Sequence, residues 1–94
     1  MIVLNVTYKC KPGMRTAFLD AIKSEGIDKC AREEAGNQKY EYYLSDSNPD
    51  EILLIEKWTD ADAIEFHKAQ AHFAKLGDLK KEFVLDTLFD KFEK

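Results

Sequence analysis

His67 and His72 are the only histidines in the chain, five positions apart in Ala63-Ile64-Glu65-Phe66-His67-Lys68-Ala69-Gln70-Ala71-His72-Phe73. An imidazole titrates near ~6.5, so each can act at neutral pH as a general acid/base or as a hydrogen-bond donor to a substrate. Five positions on an unbroken helix turn the chain by ~140°, which places the rings on different faces; a break near Gln70-Ala71 would let them meet. The ordinary alternative for His72 is a partly buried ring at a helix start, bonded to backbone. The pair also has a spacing found in zinc fingers, but Cys10 and Cys30 have nineteen residues between them and form no knuckle, so no metal is expected.

Other side chains could build a site around these rings. Glu56, between Ile55 and Trp58 on a central-looking strand, is the carboxylate expected to be semi-buried, which requires a partner or a raised pKa. Trp58 is read first as core and second as a platform for a ligand. Tyr8, Tyr40 and Tyr42 can line a pocket with their rings and offer hydroxyls, although strand tyrosines commonly pack with a wet tip. Glu33 and Glu34 read as solvated charges near a helix end, and the two cysteines as small buried hydrophobes.

These residues need elements to hold them. Ile2, Leu4, Val6, Tyr8 and Cys10 alternate with Val3, Asn5, Thr7 and Lys9, the period of a strand whose even face meets the core. Lys11-Pro12-Gly13 ends it, and Met14, Phe18, Ala21 and Ile22 recur at helical spacing. That stripe resumes at Ile27 after a slip at Ser24-Glu25-Gly26, which predicts a bend, and Gly36 is expected as the C-terminal cap. Tyr40 to Leu44 and Ile52 to Trp58 read as an antiparallel hairpin around a cluster of turn residues. Thr59-Asp60-Ala61-Asp62 predicts a helix start capped by the hydroxyl, with more helix over 69–79. Phe83 to Phe92 fits helix or strand, and its β-branched and aromatic content favours strand. The order is β-α-β-β-α-β: an α+β, ferredoxin-like, four-stranded antiparallel sheet with helices on one face.

Ninety-four residues, 45% hydrophobic, fit one domain over 1–94. A net charge of −4 with scattered lysines lacks the electrostatic footprint of a nucleic-acid binder. The longest uncharged apolar run, Ile52 to Ile55, is far short of a bilayer span, so no membrane partner or leader is expected. Two unframed cysteines suit a reducing cytoplasm. The uncovered sheet face would carry Val3 with either Leu53 and Ile55 or Ile52 and Leu54; an open apolar patch of this kind predicts a homodimer packed face to face.

Taken together, Lys11-Pro12-Gly13, Glu33-Glu34-Ala35-Gly36-Asn37 before Tyr40-Glu41, the run Ile55-Glu56-Lys57-Trp58, and His67 with His72-Phe73 resemble the antibiotic biosynthesis monooxygenase (ABM) superfamily along nearly the whole chain. The resemblance implies a dimeric α+β barrel, and one of several reactions. The haem-degrading branch uses an Asn and a His that would fall at Val6 and near Gly77, so it does not fit. Phe66-His67-Lys68 and His72-Phe73 are similar to the quinol-oxidising and autoinducer-2-degrading branches, although Ala71 stands where many members have Pro. What this implies is a small monooxygenase without cofactor, acting on a quinol or polyphenol-like molecule and O₂. His72 and His67 would serve as base and oxyanion partner. Trp58, Tyr8 and Phe73 would form walls, and Glu56 would orient a ring nitrogen. The alternatives are an isomerase of a phosphorylated autoinducer-2-like sugar, with Lys68 meeting the phosphate, or a non-catalytic metabolite-binding module.

Overall fold

The alternation at the start of the chain produces strand β1, Ile2–Cys10, which ends where Pro12 and Gly13, the latter at φ +75°, reverse the chain. The Asp50 carboxylate accepts from the Gly13 N–H at 3.0 Å and ties this turn to the next hairpin. Two short helices follow, α1 (Arg15–Ser24) and α2 (Ile27–Arg32), separated at Gly26, whose φ of +67° only glycine adopts without strain. The bend expected there is thus present. Strands β2 (Asn37–Leu44) and β3 (Glu51–Trp58) form the hairpin, helices α3 (Ala61–Lys68) and α4 (Ala71–Phe83) come next, and β4 (Val84–Glu93) closes the chain. The ambiguous last segment is a strand because β1 has an open edge to pair with. The computed structural model describes all 94 residues.

The sheet is antiparallel throughout, in the order β2-β3-β1-β4. All helices lie on one face, as expected for a ferredoxin-like α+β fold. There Phe18 and Ile22 of α1, Ile27 and Ala31 of α2 and Leu76 of α4 pack on Val6, Ile52, Leu54 and Trp58. Each large apolar side chain enclosed this way contributes about 1.5–3 kcal/mol. The register settles which way β3 faces: Ile52 and Leu54 turn to the helices, while Leu53 lies across from Thr7 and Ile55 across from Asn5 on the other side. That uncovered side also carries Val3 with Phe92, and Thr7 with Leu88. No helix is long and apolar enough to cross a membrane.

Three local expectations need correction. Gly36 is not a left-handed cap; α2 ends at Glu33 with right-handed geometry, and Gly36 is small because Ala63 packs against it. Helix α3 is capped by the Asp60 carboxylate, which accepts from the Ala63 N–H at 2.9 Å, not by the Thr59 hydroxyl, whose residue instead donates its backbone N–H to Gly36. Cys10 is buried but Cys30 is exposed, because it lies on the solvent side of α2.

Candidate active site

The break between α3 and α4 brings the histidines together. Gln70 leaves helical geometry at φ −81° and ψ 150°, so the chain changes direction without a proline and His72 starts a new helix. The two imidazole centroids lie 5.7 Å apart. Between them stands Glu34, whose Oε2 is 2.6 Å from His67 Nδ1 and 2.7 Å from His72 Nε2. The expectation that Glu34 is a solvated charge is therefore wrong: its side chain is 6% exposed, because the chain leaving α2 turns inward on its way to β2. Glu34 is also the site residue that sequence reasoning missed. Its only signal was its place in the Glu33-Glu34-Ala35-Gly36-Asn37 segment.

With Glu34 as a carboxylate, both ring nitrogens that face it must donate, and this fixes the tautomers. His67 is left with Nε2 as its free nitrogen and His72 with Nδ1. The other Glu34 oxygen, Oε1, is buried with no hydrogen-bond partner. Burial pulls the pKa of His67 below that of a free imidazole, a pull that the Glu34 carboxylate only partly offsets. His67 is held neutral at pH 7, which suits a base. Its ring is fixed by Trp58, at 4.6 Å between centroids, and by Phe73 edge-on at 5.3 Å.

Glu56 does not orient either histidine. Its Oε1 accepts from the Trp58 indole N–H at 3.0 Å. Burial, which outweighs that hydrogen bond and is reinforced by the nearby Glu34 charge, pushes its pKa up to about 7. The semi-buried, perturbed carboxylate expected at this position is present.

A cavity of about 410 Å³ opens beside these groups. The sheet lines it with Leu4, Tyr8, Tyr40 and Glu56, and the helices with Ile64, His67, Lys68, Phe73 and Lys80. Phe89 and Lys91 of β4 complete the rim. Tyr8, Glu56, His67, Lys68 and Phe73 thus share one hollow, whereas Trp58 lies fully buried behind His67 and His72 acts from the far side of Glu34. Burial holds the Tyr8 and Tyr40 hydroxyls protonated, so they can donate but not serve as bases. Tyr42 stands behind the wall, its hydroxyl 3.4 Å from that of Tyr40.

Glu34, His67 and His72 each offer one ligand atom within 4.8 Å of the others, a donor set that a divalent ion could use. Their present spacing is that of hydrogen-bonded partners, since nitrogen and oxygen ligands around an ion at ~2.1 Å would stand farther apart than 2.7 Å. An ion would have to spread the cluster.

Residues 1–78 match the family model described as antibiotic biosynthesis monooxygenase. A protein of Bacillus subtilis (strain 168) called "Putative monooxygenase YcnE" is 34% identical over 73 residues, covering 78% of this chain and 75% of that protein. Among solved structures, a crystal structure of a Pseudomonas aeruginosa protein superposes with a TM-score of 0.89 at 22% identity, covering 99% of this chain and 92% of the other. A Nitrosomonas europaea protein of the same family description gives 0.89 at 20% identity, covering 100% and 98%.

Proposed function

Because the chain belongs to the antibiotic biosynthesis monooxygenase family, we propose that it is a small monooxygenase that uses no cofactor and oxidises a quinol or polyphenol-like molecule with O₂. The observation that carries this reading is a neutral imidazole, braced from behind by a buried carboxylate, that faces a largely apolar cavity. His67 Nε2 takes the phenolic proton, and the Nδ1–H bond to Glu34 stabilises the imidazolium that forms. The electron-rich anion then supplies the electrons. A carbon–oxygen bond forms with O₂, the oxygen–oxygen bond breaks, one oxygen stays in the quinone product and the other leaves as water. Glu56, poised near neutrality on the cavity wall, is suited to give a proton to the departing oxygen. His72 holds Glu34 in place from the other side. The largely apolar lining limits the water that reaches the anion.

Oxygen uptake with a panel of quinols, alongside a phosphosugar isomerisation control, tests the reaction. His67→Ala should cut uptake by at least ~100-fold, the usual contribution of a general base, while the protein still folds. No uptake with any quinol would sink the oxygenase reading. Isomerisation of the sugar would replace it, and binding without either would leave a metabolite-binding module.

The same reading includes a homodimer formed through the uncovered sheet face, where Val3, Leu53, Ile55, Leu88 and Phe92 form an apolar surface, with Leu88 47% and Phe92 50% exposed. Light scattering should give twice the chain mass. Leu53→Asp together with Leu88→Asp should yield monomers, because a charge opposite its own copy is both desolvated and repelled.

A further inference from the structure

The charges around the cavity are unevenly distributed. Its inner wall holds Glu56, His67 and Tyr40, all buried, and its outer part holds three lysines, Lys68, Lys80 and Lys91, drawn from α3, α4 and β4. In a chain of net charge −4, three ammonium groups at one opening are not the average surface. Two of them already have partners: Lys68 lies 3.4 Å from Glu65, and Lys91 lies 3.8 Å from Glu93. Lys80 has no carboxylate partner. Its stem is half-buried beside Leu76, and its Nζ lies 5.4 Å above the ring of Tyr8, itself a cavity wall. Burial draws its pKa down, which registers the cost of holding a cation there unpaired.

An unpaired ammonium in an apolar, partly dry hollow is complementary to one anionic group on a ligand. Resting on the reading that this cavity is the substrate site, we propose that the substrate is a hydroxyaromatic acid whose single negative charge meets Lys80 at the mouth while its hydroxyl reaches His67 at the inner wall. A single charge is specified because only one of the three lysines is uncommitted. The apolar lining between the two ends suits an aromatic ring, and the Tyr8 and Tyr40 hydroxyls, held protonated, can donate to its oxygens.

The test is calorimetric titration of the intact protein with 2,5-dihydroxybenzoate and with its neutral isostere 2,5-dihydroxybenzamide. The acid should bind at least ~10-fold more tightly, as a charge-assisted hydrogen bond allows. Lys80→Gln should erase that preference while the amide loses no more than ~2-fold, and Lys80→Arg should keep it. Lys75→Gln, on the same helix but outside the cavity, should leave the preference intact. Equal affinity for acid and amide, a preference that survives in Lys80→Gln, or no binding of the acid at millimolar concentration would overturn the proposal. Tighter binding of 4-hydroxyphenyl phosphate than of the benzoate would overturn its single charge. Oxygen uptake measured in parallel separates the two readings. An acid preference without uptake refutes the oxygenase and keeps the anion site; uptake with neutral quinols and no acid preference does the reverse.

Discussion

Two regions of the helix-covered half bury carboxylates, and they handle the charge in opposite ways. At the outer corner where α1 turns into α2, Asp28 is 2% exposed and is met by Lys23 and by Arg32 at 3.2 Å. Burial alone would raise its pKa, but the two cations outweigh it and hold the group below the usual carboxylate range. In the interior, Glu34 has two imidazoles and Glu56 one indole N–H, and no lysine or arginine reaches either acid. Both acids are nearly closed to solvent, Glu56 at 7% exposed, yet its pKa is raised to about 7 while that of Asp28 is lowered. Burial pushes both acids toward keeping the proton; at Asp28 two cations reverse that push, and at Glu56 a single indole N–H does not. Asp28 is a fastened charge that staples two helices, whereas Glu56 is left able to exchange its proton near neutral pH.

The contrast can be broken most forcefully at Glu34. Glu34→Ala strips two enclosed ring N–H groups of their acceptor at about 1–3 kcal/mol each, so chemical denaturation should show a loss of about 3 kcal/mol and turnover should fall at least ~100-fold. A variant as stable as the parent would mean that Glu34 behaves like the surface charge its neighbour Glu33 is. Glu56→Gln sharpens the comparison, since the amide still accepts from Trp58. The unfolded carboxyl releases its proton near 4.5 and the folded one near 7, so this group weakens the parent as pH rises between those values, by at most ~3 kcal/mol. The depressed His67 pKa gives both proteins a gain in stability as pH rises toward 6.5, so denaturation at pH 5 and pH 8 should show the parent weakening by about 2 kcal/mol relative to the variant across that window. Asp28→Asn should have the smallest effect. Lys23 and Arg32 are about half exposed, so screening limits the loss at pH 7 to about 1 kcal/mol. Because the folded pKa of Asp28 is depressed, that contribution is present above the ordinary value of 3.8 and lost as pH falls through the folded one. Melting curves of parent and variant should converge in acid.

Much of this architecture was legible from local pattern. Alternation identified β1, the turn cluster between two runs of strand formers identified the β2-β3 hairpin, and the slip at Ser24-Glu25-Gly26 foretold the bend, because these signals reside in adjacent residues. The break before His72 was named only as the condition for the two histidines to meet, and Gln70 supplies it. Glu34 was not legible. It meets rings thirty-three and thirty-eight positions away, and nothing local separates it from Glu33; only the path of the chain from α2 into β2 sends one inward and leaves the other in water. Glu56 shows the same limit in milder form. Its burial followed from its strand, but its partner is the indole two residues on and not an imidazole of the covering helices.

Gly36 lies two residues after Glu34, and Ala63 lies one helical turn before His67. A methyl group added at Gly36 would collide with the Ala63 side chain and crowd the Thr59 hydroxyl at 3.1 Å, and the Gly36 carbonyl already accepts from the Thr59 N–H at 2.9 Å. This bare stretch of backbone acts as a gauge block that sets how near α3 is clamped to the strand entrance, and so how tightly carboxylate and imidazole grip each other. The spacing of that pair is thus machined by an atom the chain omits, at a position that does not line the hollow.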